Sequence, residues 1–214
     1  MIPDLLRFWG ASPSSSAALI WVGGVFVSAY LLGSVPSGIL VSKAFGLGDL
    51  KKFGSGNIGA TNVLRTGSRK AASITLVLDA GKGILAVVIA EKYLGITAAH
   101  FAALGVFCGH LFSIFLFFKG GKGVATFLGI LIILNTYLAL IFCSSWLIIA
   151  LLLRYSSLAS LISSVFSILI MFFLGDLSFL WLMITMVILI WFKHRENLLR
   201  LASGIESKIN FRKN

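Results

Sequence analysis

The stretch GSGNIGATNVLR, positions 54–65, sets Gly54, Gly56 and Gly59 among the uncharged hydrogen-bonding side chains of Ser55, Asn57, Thr61 and Asn62, and ends on Arg65. Glycines permit tight turns and close backbone approach, so the N–H groups they expose can converge on an anion. Asn and Thr add directed donors, and the arginine fork suits a phosphate. A second glycine-rich stretch, KGGKGVAT at 119–126, puts Gly120 and Gly121 between Lys119 and Lys122 where another apolar run begins. Backbone donors at a helix start plus a lysine again read as a phosphate cradle. LDAGKG at 78–83 is similar, with Asp79 and Lys82 three apart, so that a helix presents them on one face as a pair. Neither lysine loop fits the nucleotide signature G-x-x-x-x-G-K-[ST], because Lys82 and Lys122 are followed by Gly83 and Gly123. Phosphate binding survives without nucleotide hydrolysis. In KHRENLLR, 193–200, His194 and Asn197 are also three apart and share a helical face. The plainer readings are a loop of turn formers at 54–65 and a basic anchoring tail after 193.

The elements that must position these residues are apolar. The chain is 58% hydrophobic and 12% charged over 214 residues, whereas a soluble domain is about 25% charged. Several runs approach or exceed the roughly 20 residues that cross a bilayer, which makes this a polytopic, all-α membrane protein. The net charge of +11 gathers between apolar runs, where positive-inside topology and anionic lipid account for it and no nucleic acid is needed. Cys108 and Cys143 sit in apolar runs without metal-ligand spacing, so no disulfide, metal or redox cofactor is expected.

In chain order, residues 1–18 read as a short lead and 19–41 as a first span. GSVPSG at 33–38 would break that span unless neighbours or a polar cavity satisfy the freed groups, and Ser37 is either packing or lining. Residues 42–70 carry Lys43, Lys51, Lys52, Arg65, Arg69 and Lys70 against Asp49. This bias predicts a cytoplasmic segment and an external amino terminus. Spans at 71–90 and 97–118 follow, the second carrying His110, read first as a packed or hydrogen-bonded histidine. The run 124–153 is long for one crossing and short for two. Splitting it at 138–141, with later crossings at 156–174 and 177–192, gives seven transmembrane helices and a cytoplasmic carboxyl terminus. Five spans and a re-entrant hairpin would place the tail on the same side. The whole is one domain, with a membrane core at 19–192 and a basic tail at 193–214.

The ordered set GSVPSG, GSGNIGATNVLR, LDAGKG, GGKGVAT and HRENLLR resembles the bacterial acyl-phosphate glycerol-3-phosphate acyltransferase family over about residues 20–200. The resemblance implies a seven-span inner-membrane enzyme with a cytoplasm-facing site. It would move a fatty acyl group from acyl phosphate to the 1-hydroxyl of sn-glycerol 3-phosphate, giving 1-acylglycerol 3-phosphate. It marks Ser55, Thr61, Asn62, Arg65, Gly120, Gly121, Lys122, His194 and Asn197 for substrate binding or catalysis. Acyl phosphate is a mixed anhydride with a ready leaving group, so placement and charge stabilisation suffice and no covalent intermediate is required.

The expected catalytic set is therefore His194, Asn197, Lys122 and Ser55. The expected binding set is Arg65, Thr61, Asn62, Asn57, Gly120, Gly121, Lys82 and Ser37. Gly120, Gly121, Thr61 and Lys122 would cradle the acyl-phosphate head, while Arg65, Ser55 and Lys82 would hold glycerol 3-phosphate. Either His194 or the donor's own phosphate takes the hydroxyl proton; the sequence leaves both open. The H-x-x-x-x-D pattern of acyl-CoA-dependent glycerolipid acyltransferases is absent, since Gly105, Phe115 and Leu199 stand in the acidic position after His100, His110 and His194. The expected partners are the two substrates and membrane lipid, with the protein a monomer. A transporter of a small phosphate-bearing anion is the other class of function, and it would ordinarily show repeated halves.

Overall fold

The structure, a computed structural model, describes residues 16–209; most of the amino-terminal lead and the end of the basic tail lie outside that range. The first span begins as α1 (Ser16–Ser34) and is interrupted at Val35 and Pro36 before α2 (Ser37–Ala44). Proline has no N–H to continue the helical ladder, and the carbonyls freed at the break find other donors. Ser113 Oγ donates to Ser34 O at 2.5 Å and Lys82 Nζ to Val35 O at 3.3 Å. The irregular GSVPSG backbone is thus sealed by protein, as a bilayer demands.

After a loop, the short α3 (Ala60–Arg65) leads into α4 (Arg69–Leu94), started by Ser68, whose hydroxyl accepts from Ala71 N at 3.2 Å. A turn at Gly95 gives α5 (Ile96–Leu111). The run expected to divide at 138–141 divides at Asn135 into α6 (Val124–Leu134) and α7 (Thr136–Leu153). Asn135 caps α7 by accepting from Leu138 N at 3.1 Å, and its amide reaches Asp176 at 3.2 Å. The chain ends with α8 (Ser156–Leu174), α9 (Leu180–Lys193) and α10 (Arg195–Ala202).

The expected seven crossings are corrected by these lengths. Among the described residues, five helices are long and apolar enough to cross a membrane: Ile20–Ala44, Arg69–Leu94, Ile96–Leu116, Thr136–Leu153 and Ser156–Leu174. α6 and α9, with 11 and 14 residues, rise only about 16 and 21 Å at ~1.5 Å per residue, against a hydrocarbon core of about 30 Å. Counting every apolar run as a crossing produced the excess. The five helices by themselves assign neither terminus to a side of the membrane, so the external amino end expected from the charge bias of 42–70 and the cytoplasmic carboxyl end expected from the parity of crossings are not determined by them.

Packing uses small residues where backbones meet. α5 lies against α1 on one side and α4 on the other, and α4 carries α6. Gly105 and Gly109 form a G-x-x-x-G pair that the sequence reading passed over; Cβ atoms there would overlap the carbonyls of Phe26 and Tyr30 on α1. Because the obstacle is backbone, Gly109→Val is expected to destabilise the bundle by about 1–3 kcal/mol. Thermal denaturation of the detergent-solubilised variant checks this, and an unchanged midpoint would contradict the packing. Phe107, Phe127 and Phe142 fill the centre as edge-on rings, with centroids 6.4 and 5.1 Å apart.

Candidate active site

The loop at 54–65 is organised by its own asparagine. Gly54 and Gly56 take the left-handed φ values of 54° and 68° that the bend requires. Asn62, on α3 and almost fully buried, accepts from Ser55 N at 3.0 Å. Its amide protons are shared among the carbonyls of Leu50, Phe53 and Asn57 at 3.1, 3.0 and 2.7 Å. Asn57 in turn accepts from Ile58 N at 2.9 Å. Asn62 therefore borders the site with its hydrogen-bonding capacity spent on the loop. Thr61 and Arg65, one helical turn apart, are left as the loop's reach into the site. Thr61 shares a hydrogen bond of 3.2 Å with Ser156, and Arg65 donates to Ser207 O at 3.2 Å.

The lysine loop is pressed against the end of α5. Gly120 N and Gly121 N donate to Leu111 O and His110 O at 3.2 and 2.9 Å, so their N–H groups are already engaged. A Cβ on Gly120 would strike the His110 carbonyl, and one on Gly121 the His110 ring. The glycines let the loop come close enough for Lys122 to enter the site, where its Nζ donates to Asn197 Oδ1. Burial and the nearby Arg200 guanidinium outweigh Glu206 and hold the Lys122 ammonium down at about 8.

Asn197 and His194 are brought together as their spacing predicts. His194 closes α9, its Nδ1 lies 2.8 Å from Ile190 O, and it is 2% exposed. A carbonyl can only accept, so Nδ1 carries the proton and Nε2 keeps a lone pair. Burial and the Lys122 charge push the imidazole down to about 4, which makes it neutral at physiological pH.

These side chains line one cavity of about 580 Å³, which takes in Ser55, Asn57, Thr61, Asn62, Arg65, Lys122, His194 and Asn197. The remaining candidates stand elsewhere: Ser37 is buried at the start of α2, Lys82 seals the break after α1, and Gly120 and Gly121 lie on the side of the lysine loop turned to α5. Lys82 also makes the expected pair with Asp79 at 3.0 Å, and His110 stands 3.4 Å from the same carboxylate oxygen.

Other lining residues escaped the sequence reading. Ser156 and Ser157 open α8 and join Glu206 and Arg69 in the polar wall, to which Asp79 and His110 also contribute. The serine pair following Arg154 could have been read as an anion-binding helix start, but it was absorbed into an apolar crossing. Glu206 stands among basic residues near the end of the chain and has no spacing that marks it. The apolar lining comes from helix interiors, with Phe142, Cys143, Trp146 and Leu147 on α7, Leu128 on α6 and Leu76 on α4. Trp146 Nε1 donates to Ser160 Oγ at 3.0 Å, which fixes the indole. Leu76 and Leu147 line the cavity while 46% and 48% exposed on the bundle, so the bay opens sideways as well.

Cationic side chains around a neutral imidazole, continuous with an apolar bay inside a helical membrane bundle, suit a phosphate-bearing amphiphile. The comparisons agree. A family model described as "Glycerol-3-phosphate acyltransferase" matches residues 23–204. The glycerol-3-phosphate acyltransferase of Jannaschia sp. (strain CCS1) is 50% identical over 197 residues, covering 92% of this chain and 97% of the relative. The crystal structure of PlsY (YgiH), an integral membrane glycerol 3-phosphate acyltransferase, in its glycerol 3-phosphate form is similar with a TM-score of 0.83 at 38% identity, over 88% of this chain and 96% of that one. Its lysophosphatidic acid form gives 0.80 at 36% identity, over 90% and 97%. The chain belongs to the glycerol-3-phosphate acyltransferase family. It is an acyltransferase of the inner membrane, crossing it several times.

Proposed function

We propose that the cavity between α3, the lysine loop and the α9–α10 joint is where acyl transfer takes place. The enzyme moves a fatty acyl group from acyl phosphate to the 1-hydroxyl of sn-glycerol 3-phosphate, releasing lysophosphatidate and phosphate. The observation that carries the placement is the convergence of Lys122, Asn197 and His194 beside the α7 bay. Acyl methylenes gain by leaving water and phosphates by keeping polar contacts. The donor chain therefore occupies the Phe142–Leu147 bay, with its phosphate against Lys122. The acceptor phosphate sits with Arg65, Arg69 and Ser156, where free N–H groups at the start of α8 add to the arginine forks.

In the reaction the acceptor oxygen attacks the acyl carbon, the bond from that carbon to the phosphate oxygen breaks, and Lys122 offsets the charge growing on the departing phosphate. His194 Nε2 accepts a hydrogen bond from the attacking hydroxyl and aims its oxygen lone pair. The proton itself ends on the phosphate, because a phosphate oxygen titrates near about 6 whereas the imidazole is held at about 4. The site faces the cytoplasm, on the grounds that its walls come from the basic segment 42–70 and the basic end of the chain.

The test is purified enzyme given palmitoyl phosphate and glycerol 3-phosphate, followed for phosphate release and lysophosphatidate. Arg65→Lys loses the bidentate fork and is expected to raise KM for glycerol 3-phosphate about tenfold, equal to about 1.4 kcal/mol, without changing KM for the donor. A rise confined to the donor KM would reverse the assignment of the two phosphates.

A further inference from the structure

The segment after α10 turns back beneath the cavity. Gly204 makes the bend at φ 71°, and the N–H groups of Ile205 and Glu206 both reach Arg200 O, at 2.9 and 3.1 Å. Ile209 is clamped to the α7–α8 corner: its N–H donates to Arg154 O at 2.6 Å, and its carbonyl accepts twice from the Arg154 guanidinium, at 3.1 Å each. Held between these points, Glu206 is 8% exposed yet lines the cavity. Its Oε1 accepts from Ser157 at 2.7 Å and from Asn197 Nδ2 at 2.6 Å, and its Oε2 accepts from Arg200 Nε at 2.7 Å. One carboxylate thereby ties α8 and α10 together at the edge of the reacting centre.

We propose that Glu206 is a positioning residue for acyl transfer, which sets the orientation of the Asn197 amide and through it holds Lys122 where the donor phosphate leaves. The chemistry is one of donors and acceptors. An ammonium can only donate, so Lys122 needs the carbonyl end of Asn197; an ionised carboxylate can only accept, so Glu206 admits only the NH₂ end. With both partners present the amide has a single satisfactory orientation. Without the carboxylate it can turn over and present NH₂ to the ammonium. The same negative charge also supports the Lys122 ammonium against the other groups that face it, Arg65 from α3 and Arg200 from α10, with Glu196 of α10 acting in the same sense as Glu206 and the neutral His194 beside them. Burial acts to raise the Glu206 carboxyl, but the hydrogen bonds from Ser157, Arg200 and Asn197 outweigh it and leave it below its usual range. It therefore stays ionised throughout the working range of pH.

The inference rests on the reading of Lys122 as the group that stabilises the departing phosphate, and the experiment separates the two. The pH dependence of kcat/KM is measured for the wild type, Glu206→Gln, Glu206→Asp and Lys122→Arg, with folded enzyme quantified by size-exclusion chromatography in detergent. In the wild type an alkaline limb is expected near pH 8, where Lys122 loses its proton, and Lys122→Arg should abolish it. Glu206→Gln is expected to lower kcat about 30-fold per folded molecule and to move the limb down by about one pH unit, the size expected when one nearby opposite charge is lost. A purely structural role would change the yield of folded enzyme and leave the limb in place. Glu206→Asp keeps the charge on a shorter arm and should lower kcat with the limb within a few tenths of a unit of the wild type. That variant carries the test alone if the glutamine variant does not fold. Wild-type kcat and an unmoved limb in a folded Glu206 variant, with Lys122→Arg still abolishing the limb, overturn the role of Glu206 alone. A limb that persists in Lys122→Arg overturns both that role and the reading of Lys122.

Discussion

Replacing Lys122 by methionine is expected to lower kcat/KM by about 10³-fold, equivalent to about 4 kcal/mol of transition-state stabilisation, with little loss of folded protein. Lys122 is half-buried in the cavity wall and methionine matches its stem in length, so packing is retained while the ammonium beside Asn197 is lost. The effect should be large because the charge acts where water is scarce and where the reaction itself creates negative charge on the leaving oxygen. The sign of the pH dependence follows from the same residue. Its ordinary value is 10.5 and burial brings it to about 8, so the catalytically useful cation is complete below that pH and disappears above it. Steady-state assays of the free enzyme, read as kcat/KM across pH 6 to 10, measure this directly. A methionine variant within tenfold of the wild type would remove Lys122 from the chemistry.

The second large effect is expected at His194. In His194→Gln the amide NH₂ can bond Ile190 O as the imidazole does, but the ring nitrogen that faces the cavity is gone. Loss of an aligned acceptor for the attacking hydroxyl should cost about 10²-fold in kcat, the lower end of what positioned proton-handling groups contribute, with KM for both substrates nearly unchanged. The imidazole value of about 4 adds a sign. As pH falls through that value His194 gains a proton and can no longer accept, so the wild type should lose activity near pH 4 in a limb that the glutamine variant lacks. Titration of the substrate phosphates near about 6 is common to both enzymes and cancels in the comparison. A folded glutamine variant with near-normal kcat would leave His194 with only its cap on α9.

The sequence made the polar side chains of this site legible to the extent that each was an exception to its surroundings. Arg65, Lys122, His194 and Asn197 are polar groups at the ends of apolar runs, and a bilayer leaves such groups few places to go; the structure puts them around one cavity. The glycines of the lysine loop were equally visible, but visibility did not reveal whether their N–H groups face a ligand or α5, because that depends on how closely His110 approaches. Glu206 and Ser157 were hidden for the opposite reason. Each is ordinary where it stands in the chain, and only the backward turn at Gly204 gives them a shared bond. The helical class was readable from composition, whereas the number of crossings was not. Hydropathy reports that a segment avoids water, and α6 and α9 do so without spanning the bilayer thickness.

The sideways opening between Leu76 and Leu147 makes the two substrates unlike in how they are counted. Glycerol 3-phosphate arrives from water and is governed by its concentration there. A donor that enters through the opening is governed by its mole fraction in the surrounding lipid, because its acyl chain partitions into the bilayer and out of the bulk. Saturation of the donor site is thus a property of the membrane's composition, and dilution with inert lipid, more than dilution with buffer, starves the enzyme.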